Sequence, residues 1–159
     1  MSFKFKKLNN DIGKLDLSIR DIKKEFIKSA SDDAERLIVG EIKRGFSPVA
    51  SYGKFDAYSE SYKKAILAGR VMPKTEVRPV DLTVSGQMLN TFKVSKTSKS
   101  IVMEFTDKIA KYHNDLGAGA SKVIRKMLPS SGEKFKKTIN DDLLDLLKQA
   151  VETVVAKLK

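Results

Sequence analysis

From Leu15 to Ile42 the apolar residues are Leu15, Ile19, Ile22, Phe26, Ala30, Ala34, Leu37, Ile38 and Ile42. Steps of three and four put them on one stripe of an α-helix, with Arg20, Lys24, Asp32 and Glu35 on the opposite face. No proline interrupts the run and Gly45 offers a C-terminal stop, so the pattern predicts one long helix with a weak point at "SASDD", residues 29–33. A second helical stripe runs through Phe135, Ile139, Leu143, Leu146, Leu147, Ala150, Val151, Val154, Val155 and Leu158. It is expected to start at Ser131 or Gly132. Asp141 and Asp142 come early and Lys157 and Lys159 late, as the helix dipole prefers. Each stripe must be buried on a small sheet, or on the other helix across a subunit boundary.

Between the two stripes the pattern changes. Residues 45–79 open with "GFSPVASYGKFDAYSESY", rich in Ser, Gly and aromatics, where Pro48 pushes Ser47 out of helical geometry. A short helix over 59–68 and an exposed stretch "GRVMPKTEVRP" are expected next. A connection of this length suggests an arm ordered by a partner. In "VDLTVSGQMLNTFKVS" a brief extended piece, a Ser85 cap and a short helical turn at Met88 and Leu89 lead back to strand. Val94 lies on one strand, "KTSK" supplies a turn, and Ile101, Met103 and Phe105 alternate on a second, which is a hairpin with one buried face. The order of elements predicts an α+β fold: a long N-terminal amphipathic helix, a small antiparallel sheet with a hairpin, and a long C-terminal helix. Residues 1–159 read as a single domain, with 1–14 as a basic N-terminal arm and 45–79 as a long loop or arm.

Composition narrows the function classes. There is no cysteine, which excludes disulfides, thiolate nucleophiles and zinc–cysteine sites. "MSFKFKKLNN" is basic with no apolar core after it, so a secretory signal is not expected. No apolar run is long enough to span a bilayer, so no membrane partner is expected. Lys and Arg number 31 against 20 Asp and Glu, a net charge of +11. That surplus attracts polyanions, but it is spread along the chain and dominated by Lys, which suits a solvated surface better than fork-like phosphate recognition.

Candidate chemistry is sparse. His113 is the single histidine; Asp115, two residues on, lies on a different helical face, and no second His exists for a metal. It reads as a structural hydrogen bonder at a helix end. Asp141 and Asp145 share a helix face and suit a cation, but a solvated acidic first turn is the plainer reading. "GAGAS", residues 117–121, lacks phosphate-loop spacing and reads as a turn, with Gly117 in left-handed geometry. Lys54, Phe55, Tyr58, Tyr62, Lys63 and Lys64 interleave base and ring as a stacking surface for single-stranded nucleic acid would. No catalytic constellation is present in the pattern, so neither an enzyme nor a cofactor is expected.

Three stretches taken in order carry a resemblance: "GFSPVASYGKFDAYSESY", "VDLTVSGQMLNTFKVS" and "IAKYHNDLGAGASKVIRKMLP". The first looks like a G-x-S-P element with a tyrosine loop, and the second like a "DLTxTGxMLxSF" segment. The third looks like a His-Asn pair, a glycine and an Arg-x-x-Leu-Pro ending. Over roughly residues 35–155 they are similar to the tail-completion and virion-morphogenesis proteins of tailed bacteriophages, the Mu- and P2-like kind and their neck relatives. The chain departs from that family's "P-x-R-P-F-L" version, with "VIRKMLP" in its place.

The resemblance implies a non-catalytic subunit forming a ring, sixfold, that joins head to tail or completes the tail. Its implied partners are copies of itself, neighbouring neck, connector or tail-tube proteins, and DNA passing non-specifically through the channel. Its implied place is the virion neck or tail, assembled in the host cytoplasm. The resemblance also implies that His113, Asn114 and Gly117 fix a turn leading to residues 125–129. Expected assembly contacts are Ser47, Pro48, Tyr52, Phe55, Tyr58 and Tyr62 in the arm, with His113, Asn114, Arg125 and Pro129 in the turn. The alternative class is a basic nucleic-acid-binding module.

Overall fold

A computed structural model describes residues 19–83, 86–97, 100–119 and 121–157. Helix α1 spans Ile19–Lys43 and buries Ile22, Phe26, Ala30, Ala34, Ile38 and Ile42, a strict repeat of four. The expected start at Leu15, the Ser85 cap, Lys159 and the 1–14 arm all lie outside the described residues. The helix passes through 29–33 without a break. Ser29 Oγ donates back to the Glu25 carbonyl and Arg36 pairs with Asp33, so the polar residues are satisfied within the helix. Its end is a Schellman turn. Gly45 N–H donates to Ile42 O and Phe46 N–H to Glu41 O, with Gly45 at φ +85°.

Helix α2, Glu60–Leu67, is capped by Ser59, whose Oγ accepts from Tyr62 N–H at 3.3 Å. A 3₁₀ turn, Leu89–Thr91, delivers the chain into strand β1, Phe92–Lys96, which pairs antiparallel with β2, Ile101–Phe105. The register sets Phe92 opposite Phe105 and Val94 opposite Met103, and the Phe92 and Phe105 rings meet edge to face at 5.2 Å. Lys96 pairs with Ile101, so strand β1 runs one residue into the stretch expected as the "KTSK" turn. Lys23, buried on α1, reaches the hairpin end and donates to Thr97 O at 2.9 Å.

Helix α3, Lys108–Lys111, continues as a wider π-type turn over Tyr112–Leu116, and helix α4 covers Lys137–Ala156. Helix α4 starts later than expected. Val49 and Phe135 form a β-bridge, and Lys136 N–H donates to Pro48 O, which holds the chain extended up to Lys136. Asp141 and Asp142 therefore stand in the second turn, and the first turn holds no acid.

The two long helices pack on each other within one chain, and α1 also covers β1. Small side chains line these buried faces, with Ala30, Ala34 and Ala150 all essentially inaccessible. One cluster of buried side chains runs from Phe26 on α1 through Val80, Leu89, Ile101 and Met127 to Ala150 on α4. The fold is α+β, as the order of periodicities predicts. Among the described residues no helix is long and apolar enough to cross a membrane.

Candidate functional site

Residues 45–58 and 113–136, which carry two of the three resembling stretches, meet in one hydrogen-bonded network. Asp107 caps α3, its Oδ1 accepting from Ile109 N–H at 2.7 Å. The π-type turn then ends at Gly117, where φ is +81° and an added Cβ would lie 2.1 Å from the Lys122 carbonyl oxygen. Only glycine fits there. A bridge between Ala118 and Val123 closes the loop, and Arg125 N–H donates to His113 O at 2.7 Å.

Asn114 does the most specific work. Its Oδ1 accepts from both Met127 N–H and Leu128 N–H at 2.8 Å, standing in for a neighbouring strand. Its Nδ2 donates to Asp115 Oδ1, which also meets Lys126 at 3.2 Å. Lys126, 7% exposed, pairs with Glu133 as well. Burial raises Asp115's pKa, but the hydrogen bonds from Lys126, Asn114 and Ser130 outweigh it and hold the carboxyl below its ordinary range. Burial likewise opposes the charge on Lys126, and its two carboxylate partners keep that pKa raised.

Ser47 Oγ donates to Lys126 O at 2.6 Å and accepts from Val49 N–H at 3.1 Å. Arg125 turns its guanidinium onto the carbonyls of Asp56 and Ala57, with Nη2 at 3.1 and 3.2 Å, and stacks on the Tyr58 ring at 5.6 Å. Lys74 Nζ lies at the same distance from that ring and pairs with Asp81. Tyr58 in turn meets Tyr62 edge to face at 5.1 Å. Burial, and then the Asp81 carboxylate, push the Tyr58 phenol well above its ordinary pKa.

The predicted site residues thus divide by exposure. Ser47, Pro48, Phe55, Arg125 and Pro129 are buried. These five side chains pack into the chain's own interior. Tyr58, Tyr62, His113 and Asn114 are half-buried in the same network, and Tyr52 is exposed. Within the stretch 45–79 expected as an arm, Ser47, Pro48, Val49 and Phe55 turn inward while residues 50–54 stay exposed, and 60–67 form a helix.

His113 departs from its expected part as well. Its backbone carbonyl is the hydrogen bonder, while its buried Nδ1 has no partner among the described residues. Burial first, then the nearby Arg125 charge, hold the imidazole pKa below its ordinary value. The stacking set of Lys54 to Lys64 is similarly occupied, since Phe55 is buried and Tyr58 is engaged by Lys74 and Arg125. Asp141 and Asp145 pair with Lys137 and Lys148 along α4, as solvated helix residues do.

Two features escaped sequence reasoning. Leu67 and Met72 are the most exposed large apolar residues described, at 72% and 68%. They flank the turn after α2, where Gly69 (φ +70°) donates to Ile66 O. The signal was present as a glycine stop two residues past Leu67. The other is Lys126, whose burial among Asp115, Glu133 and Ser130 no local pattern announces.

Comparison with protein-family models, curated proteins and solved structures gives no match.

Proposed function

We propose that this chain is a non-catalytic structural subunit of a phage neck or tail end, assembling as a ring that joins head to tail or completes the tail. One observation carries the reading beyond the resemblance: Leu67 and Met72 stand exposed on a well-anchored tip. Such side chains in water are unfavourable, and burying one against a partner contributes about 1.5–3 kcal/mol. The tip is anchored by the Ser59 cap, by buried Ile66 and by the Lys74–Asp81 pair. Two exposed apolar side chains beside the turn after a capped helix suit a repeated protein–protein contact. The convergence of residues 45–58 and 113–136 supports the reading in a second way. It makes the resembling motifs a scaffold rather than a reactive centre.

Partners on this reading are copies of the chain, the adjoining neck, connector or tail-tube proteins, and DNA only non-specifically. Its place is the virion, after assembly in the host cytoplasm. The basic nucleic-acid-binding alternative rests on the net charge of +11. Four basic side chains, Lys23, Lys74, Arg125 and Lys126, are buried and occupied within the fold, which weighs against it.

Light scattering across a wide concentration range at two salt levels tests the proposal. Closed oligomers of ring-like mass are expected. A strict monomer throughout that binds DNA with a steep salt dependence would instead establish the nucleic-acid reading.

A further inference from the structure

The chain holds no cysteine, so a peroxide meets no thiolate, and thioether sulfur is its softest target. Among the described residues the methionines differ sharply in access. Met88, Met103 and Met127 are 7%, 1% and 0% exposed and belong to the one cluster of buried side chains. Met72 is 68% exposed. It lies in a turn, and two residues further on Lys74 is buried and paired with Asp81, so the chain is anchored there while Met72 stays in water.

We propose that Met72 is a site of reversible oxidation by a hydroperoxide, and that its sulfoxide switches off the apolar contact made through Leu67 and Met72. The switch rests on the ring reading; the site does not. In the step, a lone pair on Met72 Sδ attacks one peroxide oxygen, and the S–O bond forms as the O–O bond breaks. The departing hydroxide takes the proton from the transferred oxygen and leaves as water. Sulfur loses two electrons and the peroxide gains them. Two thiols of a methionine sulfoxide reductase system reverse the step, becoming a disulfide as the oxygen leaves as water. The sulfoxide is polar and chiral where the thioether was flexible and apolar. Burying it in a contact without a hydrogen-bond donor is unfavourable, so the oxidised chain associates less well.

Dilute hydrogen peroxide on the folded full chain, followed by tryptic mapping of the methionine peptides, tests the site. Met72 should gain oxygen about tenfold or more faster than Met88, Met103 and Met127, and in urea the four should react alike. Light scattering before and after oxidation tests the switch. Oxidised wild type should associate about tenfold more weakly and recover after reductase treatment. Met72→Leu, an exposed change that keeps an apolar side chain of similar volume, should assemble alike before and after peroxide. Equal rates for the four methionines in the folded chain overturn the site and the switch with it. Selective oxidation of Met72 with unchanged assembly overturns the switch. So does a Met72→Leu chain that loses assembly on oxidation as the wild type does. A wild type monomeric at every concentration overturns the ring reading and the switch that rests on it, while the mapping still decides the site.

Discussion

Ser47 and Lys126, 79 positions apart, are joined where the Ser47 hydroxyl donates to the Lys126 carbonyl at 2.6 Å. The Ser47 hydroxyl oxygen also accepts from Val49 N–H, so one small buried side chain ties the end of α1's connection to the segment before α4. Ser47→Ala leaves both backbone groups unsatisfied in the interior. A loss of about 1–3 kcal/mol is expected, read as a lower midpoint in urea denaturation with the slope unchanged. A loss under about 0.5 kcal/mol, the usual range for an uninvolved surface position, would remove Ser47 from the role assigned to it.

Gly117 and Gly119 form an internal comparison. Both have positive φ, but a Cβ at Gly117 collides with the Lys122 carbonyl while one at Gly119 meets nothing within 4 Å. Gly119→Ala is expected to cost only the backbone term, about 1–2 kcal/mol. Gly117→Ala must open the turn and cost clearly more. Thermal melts of the two variants side by side decide it, and equal midpoints would contradict the collision.

The imidazole of His113 sets an acid dependence. Its folded pKa lies below the ordinary value of about 6.5, chiefly through burial and then through Arg125. The unfolded chain therefore binds this proton more readily than the folded one. The contribution is fully present above about pH 6.5 and is lost as pH falls from there through the lower folded value. Denaturation midpoints of wild type and His113→Gln between about pH 7 and 5 should diverge, the wild type declining more steeply. Parallel curves would sink the assignment. Asp81 and Asp115, whose pKa values are also lowered, act only at more acid pH, where they in turn lose their stabilising charge.

Arg125 and Asp56 carry the last prediction. Arg125→Lys keeps a positive charge near Tyr58 but loses the planar fork that serves the Asp56 and Ala57 carbonyls together. About 1–3 kcal/mol of stability should be lost. Hydrogen exchange should report faster opening of residues 45–58 than of α1. Uniform acceleration across both would point to a global effect instead.

Both helical stripes and the hairpin alternation were legible because they are local. Ile22 to Ile42 repeat every four residues, and Ile101, Met103 and Phe105 alternate, whatever packs on them. The Gly45 stop and the short helix near 59–68 were readable for the same reason, as punctuation acting within one turn. The site was less legible. Ser47, Pro48 and Phe55 look like loop residues in the sequence, yet they are interior, because Pro48 and Val49 are held by Lys136 and Phe135. Asn114 gave no hint that its amide would replace a strand for Met127 and Leu128.

What the sequence by itself determined is the set of elements, their α+β order and a strongly basic, cysteine-free chain. Those follow from neighbour spacing and composition, which need no partner. The tertiary structure alone decided where α4 begins, that Ser47, Pro48, Val49 and Phe55 lie inside and that Leu67 and Met72 stay exposed. Each of those depends on which distant backbone groups are available to satisfy a buried N–H or carbonyl, and contacts across some 70–80 residues leave no trace in a local pattern.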